Sequence, residues 1–246
     1  MTVQDLWTHD HHAVLADDVP EGDFLVDDEP VSVEGDHVLH LLLLAGVLTN
    51  EADLHREDGR LHGTGDPTEV ALLLSALTAG IEPQDARAAF PQVAEIPFEP
   101  AARYTATVRD RRGTHNVFVK GAPERVLEMC GEIHTAAGPV PIDRSVVQEA
   151  ASEMAARGRR VLALAYRELP DPLSPLADLQ EPDRLVFLGL QGMIDPPRPG
   201  VGDAIAATQA AGIRVVMIIG DHVDTARAVA ERLGILRSGD ESHRHG

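Results

Sequence analysis

In Val119-Lys120-Gly121-Ala122-Pro123-Glu124 an apolar, strand-like run (His115 to Val119) gives way to a helix start. Lys120 is the only lysine among 246 residues, and arginine supplies every other strong side-chain cation. An ammonium on a flexible stem and a rigid guanidinium fork suit different partners. A solitary lysine therefore marks either a site that needs the ammonium or an incidental survivor of a lysine-poor composition. The neighbours favour a site, because Gly121 lets backbone approach a ligand closely and Pro123 suits the first turn of a helix. A cation at a strand end beside a glycine is a seat for an anion.

Upstream, Arg103 to Val108 forms a second strand-like run, and Asp110-Arg111-Arg112-Gly113 reads as the hairpin turn between the two. With Arg111-Arg112 as a two-residue loop, Arg103 stands opposite Lys120, and like charges so placed repel unless an anion lies between them. Arg-Arg is a poor two-residue turn, and a longer loop leaves both cations in solvent.

The length accommodates one large domain or two small ones with a proper core. The formal net charge of -19 argues against nucleic acid or an anionic membrane surface as partner. The longest apolar stretch, Leu39 to Leu48, is interrupted by His40 and Gly46 and predicts a buried helix, not a membrane span. Met1-Thr2-Val3-Gln4-Asp5 lacks the layout of a secretory signal, and the single cysteine, Cys130, fits a reducing compartment. His9-Asp10-His11-His12 has metal-ligand chemistry but no closing ligand at usual spacing, and reads as a polar loop.

Along the chain, residues 1–35 predict short strands between acidic loops, and Asp36 opens a helix to Leu48. Asn50 to Gly63 reads as a polar loop. In Gly65-Asp66-Pro67-Thr68-Glu69, Asp66 is an N-cap, Pro67 the first helical residue, and Glu69 is spaced to reach back to the cap. Helices over Pro83–Phe90, Ala122–Cys130 and Ser145–Arg157 and a strand over Val161–Tyr166 complete an α+β antiparallel-sheet layout for residues 1–170. A proline-rich linker, 171–182, follows. Beyond it Leu185–Ile194, Val201–Ala211, Ile213–Ile219 and His222–Leu233 alternate apolar strand and helix, which predicts parallel pairing in a partial α/β segment over 183–236, with a disordered tail at 237–246. The turns Asp195-Pro196-Pro197-Arg198 and Gly220-Asp221 then fall at carboxyl ends of strands, where such sheets bind ligands.

In order, Gly65-Asp66-Pro67-Thr68-Glu69, Ile96-Pro97-Phe98, Val119-Lys120-Gly121-Ala122-Pro123-Glu124, Asp195-Pro196-Pro197-Arg198 and Gly220-Asp221-His222 resemble the cytosolic motifs of P-type ATPases, nearest the calcium and sodium/potassium pump branch. The resemblance implies a nucleotide-binding domain followed by part of a haloacid-dehalogenase-like Rossmann phosphorylation domain. It implies that Phe98 stacks on the adenine of ATP, Glu69 meets the amino edge, and Lys120 with Gly121 lines the far side of the pocket. Arg103 serves the phosphates, Arg160 and Leu162 close over ribose and phosphate, and Asp195, Arg198, Gly220 and Asp221 stand in the phosphorylation-domain motifs. Mg2+ is expected only as its ATP complex.

The family's phosphorylated aspartate loop, its magnesium-binding acids and its membrane helices find no counterpart in these residues, and Ile219 replaces a threonine before Gly220-Asp221. Phosphoryl transfer needs that nucleophile and metal, so the expectation is a chain that binds ATP without hydrolysing it alone. It would be cytoplasmic, or sit on the cytoplasmic face of a membrane beside a complementary chain. A nucleotide-sensing or interaction protein is the alternative reading. A freestanding phosphatase lacks support, since no paired aspartates follow an apolar strand.

Overall fold

The computed structural model describes residues 1–15, 24–26, 29–30, 33, 35–57, 60–169, 182–195, 200–218, 227, 229–231 and 233–236. Four strands open the chain, β1 (Thr2–Trp7), β2 (His12–Leu15), β3 (Phe24–Val26) and β4 (Glu29–Pro30), before helix α1 (His37–Leu48). The hairpin β5 (Asp53–Glu57) and β6 (Arg60–Thr64) leads to α2 (Pro67–Thr78) and α3 (Pro83–Ala89). Then come β7 (Gln92–Ile96), β8 (Tyr104–Arg111), β9 (Thr114–Gly121), α4 (Pro123–Met129), β10 (Cys130–Thr135), β11 (Gly138–Pro141), α5 (Arg144–Ala156), β12 (Arg160–Glu168), β13 (Leu185–Ile194) and α6 (Val201–Ala210).

The main sheet runs β4-β3-β2-β1-β13-β12-β9-β8-β7, with β10 joining β13 and β11 joining β10. Its pairings are antiparallel apart from β10 with β13. Helices cover both faces. Leu42, Leu43, Leu72 and Leu73 of α1 and α2 bury Phe118, Leu164 and Leu188 on one side, while Val126 and Leu127 of α4 and Val147 and Met154 of α5 bury Val119, Ala163, Phe187 and Leu190 on the other.

Local chemistry sets the helix ends. Asp36 accepts from the Val38 and Leu39 amides (3.0 and 2.9 Å), and Asp66 accepts from Thr68 N–H at 2.8 Å, each satisfying amides that have no partner within the first helical turn. At the far end of α1, Arg109 donates Nε–H to the Leu48 carbonyl (3.0 Å) beside Thr107 Oγ1 (2.8 Å). That places a cation on the negative end of the helix and ties it to β8.

Two expectations are corrected. Strand β13 does not pair in parallel with residues 213–218. It lies between β1 and β12, antiparallel to both, inside the first sheet. A strand covered on both faces reads as a continuous apolar run whichever way its neighbours point, so the apolar pattern carried no direction. Residues 213–218 form no strand, and Ile213, Val216 and Ile218 are exposed, as is much of α6.

The β8–β9 turn is the second correction. Arg111 faces Thr114, so the two loop residues are Arg112 and Gly113, with φ of 54° and 88°. Two successive left-handed residues match a hairpin turn whose twist suits the strands, and Gly113 adopts that conformation without cost. The register therefore moves by two residues: Thr105, not Arg103, faces Lys120.

Candidate functional site

The antiparallel order brings alternate strand ends to one rim of the sheet. Strand β7 ends there at Ile96, β8 begins at Tyr104, β9 ends at Gly121, β12 begins at Arg160 and β13 ends at Ile194. Phe98, Arg103, Lys120, Gly121, Arg160, Leu162 and Asp195 all sit at or just beyond this rim, and Glu69 reaches it from the first turn of α2. Strands β7 and β9 are separated only by β8, a lateral distance of about 10 Å.

Lys120 is buried, with Leu164 of β12 and Thr105 of β8 as its cross-strand neighbours. Its Nζ donates to Glu69 Oε1 at 2.7 Å. Glu69 does not reach back to its own cap; Oε2 accepts from Glu51 N–H at 3.2 Å, and Asn50 Nδ2 holds the Glu69 carbonyl at 2.8 Å. Burial pulls the Lys120 ammonium below its usual pKa, and the Glu69 carboxylate pushes back without cancelling the shift. Next in the chain, a Cβ on Gly121 would lie 2.6 Å from the Arg103 carbonyl and 2.7 Å from Tyr104 Cβ, so only glycine allows β8 and β9 to close here.

Arg103 has a left-handed backbone (φ 59°), and its guanidinium engages Glu124. The expected pairing of Arg103 with Lys120 across an anion is thus replaced by two internal ion pairs, Lys120 with Glu69 and Arg103 with Glu124. Phe98 stands in the loop after β7 and is 60% exposed, which leaves much of its apolar ring in water.

Arg160 opens β12 opposite Met193; burial acts to raise the Asp66 carboxyl, but the hydrogen bonds from Thr68 and the Glu69 amide, with a smaller contribution from the Arg160 charge, hold it below its usual value. Leu162 packs at the edge of the α1–α2 core. Asp195 is exposed just past β13, while Arg198, Gly220 and Asp221 lie outside the described residues. A cavity of about 870 Å³ opens at the same rim on the α4–α5 side, lined by Glu124, Leu127, Ala151, Arg160 and Asp195 among others, but by neither Phe98 nor Lys120.

Sequence reasoning missed the carboxylate of Glu124, the side-chain amide of Asn50 and the N–H of Glu51 as parts of this rim. Glu124 sat in the quoted motif, but nothing in its spacing said which cation it would take. The imidazoles of His9, His11 and His12 go to separate carboxylates, Asp10, Asp36 and Asp5. Among the described residues no group of three or more His, Cys, Asp or Glu side chains could hold a metal ion, and no helix is long and apolar enough to cross a membrane.

The family profile described as P-type ATPase, cytoplasmic domain N, matches residues 38–200. The probable cation-transporting ATPase F of Mycobacterium bovis is 40% identical over 241 residues, covering 96% of this chain and 26% of that protein. The cation-transporting ATPase pma1 of a Synechocystis species is 41% identical over 204 residues (82% and 22%), and a calcium-transporting ATPase of Bacillus subtilis is 35% identical over 221 (88% and 25%). The chain thus spans about a quarter of the length of these curated relatives. The match runs through α1, α2, the rim and β13, which the sheet independently unites in one domain, and the chain belongs to the family of P-type ATPase cytoplasmic N domains.

Proposed function

We propose that the rim binds ATP and that the domain serves an ATP-driven cation pump. The observation that carries this is Phe98, an exposed ring at the same sheet end as the buried solitary lysine. Base-on-aromatic stacking contributes about 1–3 kcal/mol, which gives the exposed ring a use. In this reading adenine lies on Phe98, the Glu69–Lys120 pair meets its polar edge beside Gly121, and Arg160 and Leu162 close the ribose side. Arg103 exchanges the exposed Glu124 for phosphate oxygens, which present a better bidentate partner and a higher charge. Mg2+ enters only with the nucleotide.

Phosphates would then extend toward Asp195, Arg198, Gly220 and Asp221. Hydrolysis and ion movement belong to parts of a pump beyond the residues considered, whether in one polypeptide or supplied by a complementary chain, at the cytoplasmic face of a membrane. The part of residues 183–236 that follows β13 is proposed to contribute to a haloacid-dehalogenase-like domain, with β13 as the strand that leaves the N domain.

Calorimetric titration with MgATP tests the site. Phe98→Ala should weaken binding roughly tenfold, the loss of one stacked base, and Lys120→Ala should weaken it further. Phe98 is the cleaner probe because removing a neutral ring leaves no buried charge unpaired, whereas removing Lys120 strands Glu69. Unchanged affinity in both variants overturns the reading. Release of phosphate from MgATP should stay at the level of buffer, whereas turnover would contradict the division of labour.

A further inference from the structure

We infer that the outer face of the β5–β6 hairpin is a two-histidine chelate for a divalent transition-metal ion, Zn2+, Ni2+ or Cu2+. The inference does not depend on the nucleotide site. The hairpin's orientation is fixed by Gly63, where a Cβ would fall 2.3 Å from Val70 Cγ1 of α2, and by Leu54, its cross-strand partner, which packs on the α1–α2 core. Side chains alternate along a strand, so the next positions, His55 and His62, face away from the helix, and both are exposed.

These two residues are direct partners in the register, with ring centroids 5.9 Å apart and planes 23° from parallel. Two imidazole nitrogens bound at 2.0–2.1 Å to one tetrahedral ion bring the ring centres to about 5 Å, so these exposed side chains close the chelate by approaching roughly 1 Å and turning their stacked rings to aim one nitrogen each at the ion. Neither ring has a hydrogen-bond or ion-pair partner among the described residues. The other paired imidazoles differ: His134, edge-on to His37 at 5.7 Å, is buried and bonded to the Thr135 carbonyl at 3.0 Å.

Imidazole selects zinc, nickel and copper, while magnesium and calcium require oxygen ligands. With two protein ligands, water completes the coordination and the ion exchanges freely. An isolated two-stranded hairpin is marginal, so a metal that cross-links its strands firms it. The same strands connect the Asn50 side-chain amide and the Glu51 N–H, which hold Glu69, to the Asp66 cap.

The test is titration of the metal-free, untagged chain with ZnCl2 by calorimetry and by imidazole and amide NMR. Binding of one ion per chain is expected, with shifts confined to β5, β6 and the two rings. His55→Ala and His62→Ala should each lower affinity at least about tenfold, while the His9→Ala/His11→Ala double variant keeps it and MgCl2 produces nothing. Absence of binding, zinc shifts centred elsewhere, or affinity retained in both single variants overturns the inference. The wild-type shift map decides the matter even if a variant misfolds.

Discussion

Two ion pairs stand at the same rim and differ in burial. In the Lys120–Glu69 pair the side chains are 8% and 20% exposed, and Glu69 is further held through Glu51 and Asn50. In the Arg103–Glu124 pair they are 50% and 54% exposed, and neither partner is tied to the core. Breaking a buried pair leaves a charge without water, whereas breaking an exposed one exchanges it for water. The Lys120–Glu69 pair is therefore part of the fold as well as of the proposed site, whereas the Arg103–Glu124 pair can open at little cost to the fold, as the proposed exchange of Glu124 for phosphate requires.

Three substitutions separate these cases. Glu69→Ala leaves the Lys120 ammonium buried and unpaired and should cost about 3 kcal/mol in urea unfolding; a cost below about 1 kcal/mol would put the two pairs on the same footing. The Asp5 carboxylate, buried between Arg159 Nε at 2.5 Å and His12 Nε2 at 3.2 Å, offers an intermediate case. Burial acts to raise its pKa, but the His12 hydrogen bond and the Arg159 charge together win and leave it below 3.8. Its contribution is therefore complete above pH 3.8 and lost as pH falls through the lowered folded-state value. Asp5→Asn should cost about 2 kcal/mol at neutral pH and flatten the acid limb of the stability profile, and an unchanged acid limb would refute the assignment. Glu124→Ala should change stability by less than about 1 kcal/mol and, by freeing Arg103, raise ATP affinity about threefold at low salt. A fall in affinity would mean that Glu124 itself serves the ligand.

Much of the architecture was legible, for reasons tied to particular residues. Asp36 and Asp66 announced helix starts because a short carboxylate before an apolar run has few other uses. The β5–β6 hairpin escaped because its residues are polar, although Asp58-Gly59 between alternating side chains is a turn signal. Strand β13 was recognised but placed in the wrong sheet, since a two-sided apolar run carries no direction. Lys120 stood out by its rarity and its place at a strand end, whereas Phe98 was singled out only through the family resemblance. Which carboxylate each cation takes was not legible, because that depends on a two-residue register set by Arg112 and Gly113 and on Glu69 turning toward β9 instead of its own cap. Charge counting set Arg103 opposite Lys120, but the register puts Thr105 there and each cation has its own acid.

The most direct test of the central claim is a map of amide and aromatic shift changes as ATP is added to the isotope-labelled chain. The account predicts that the largest changes fall on the Phe98 ring and on the amides of Glu69, Lys120, Gly121 and Arg160, with none on the β5–β6 strands away from the rim. Changes centred instead on the α4–α5 cavity, around Leu127 and Ala151, with Phe98 silent, would contradict it.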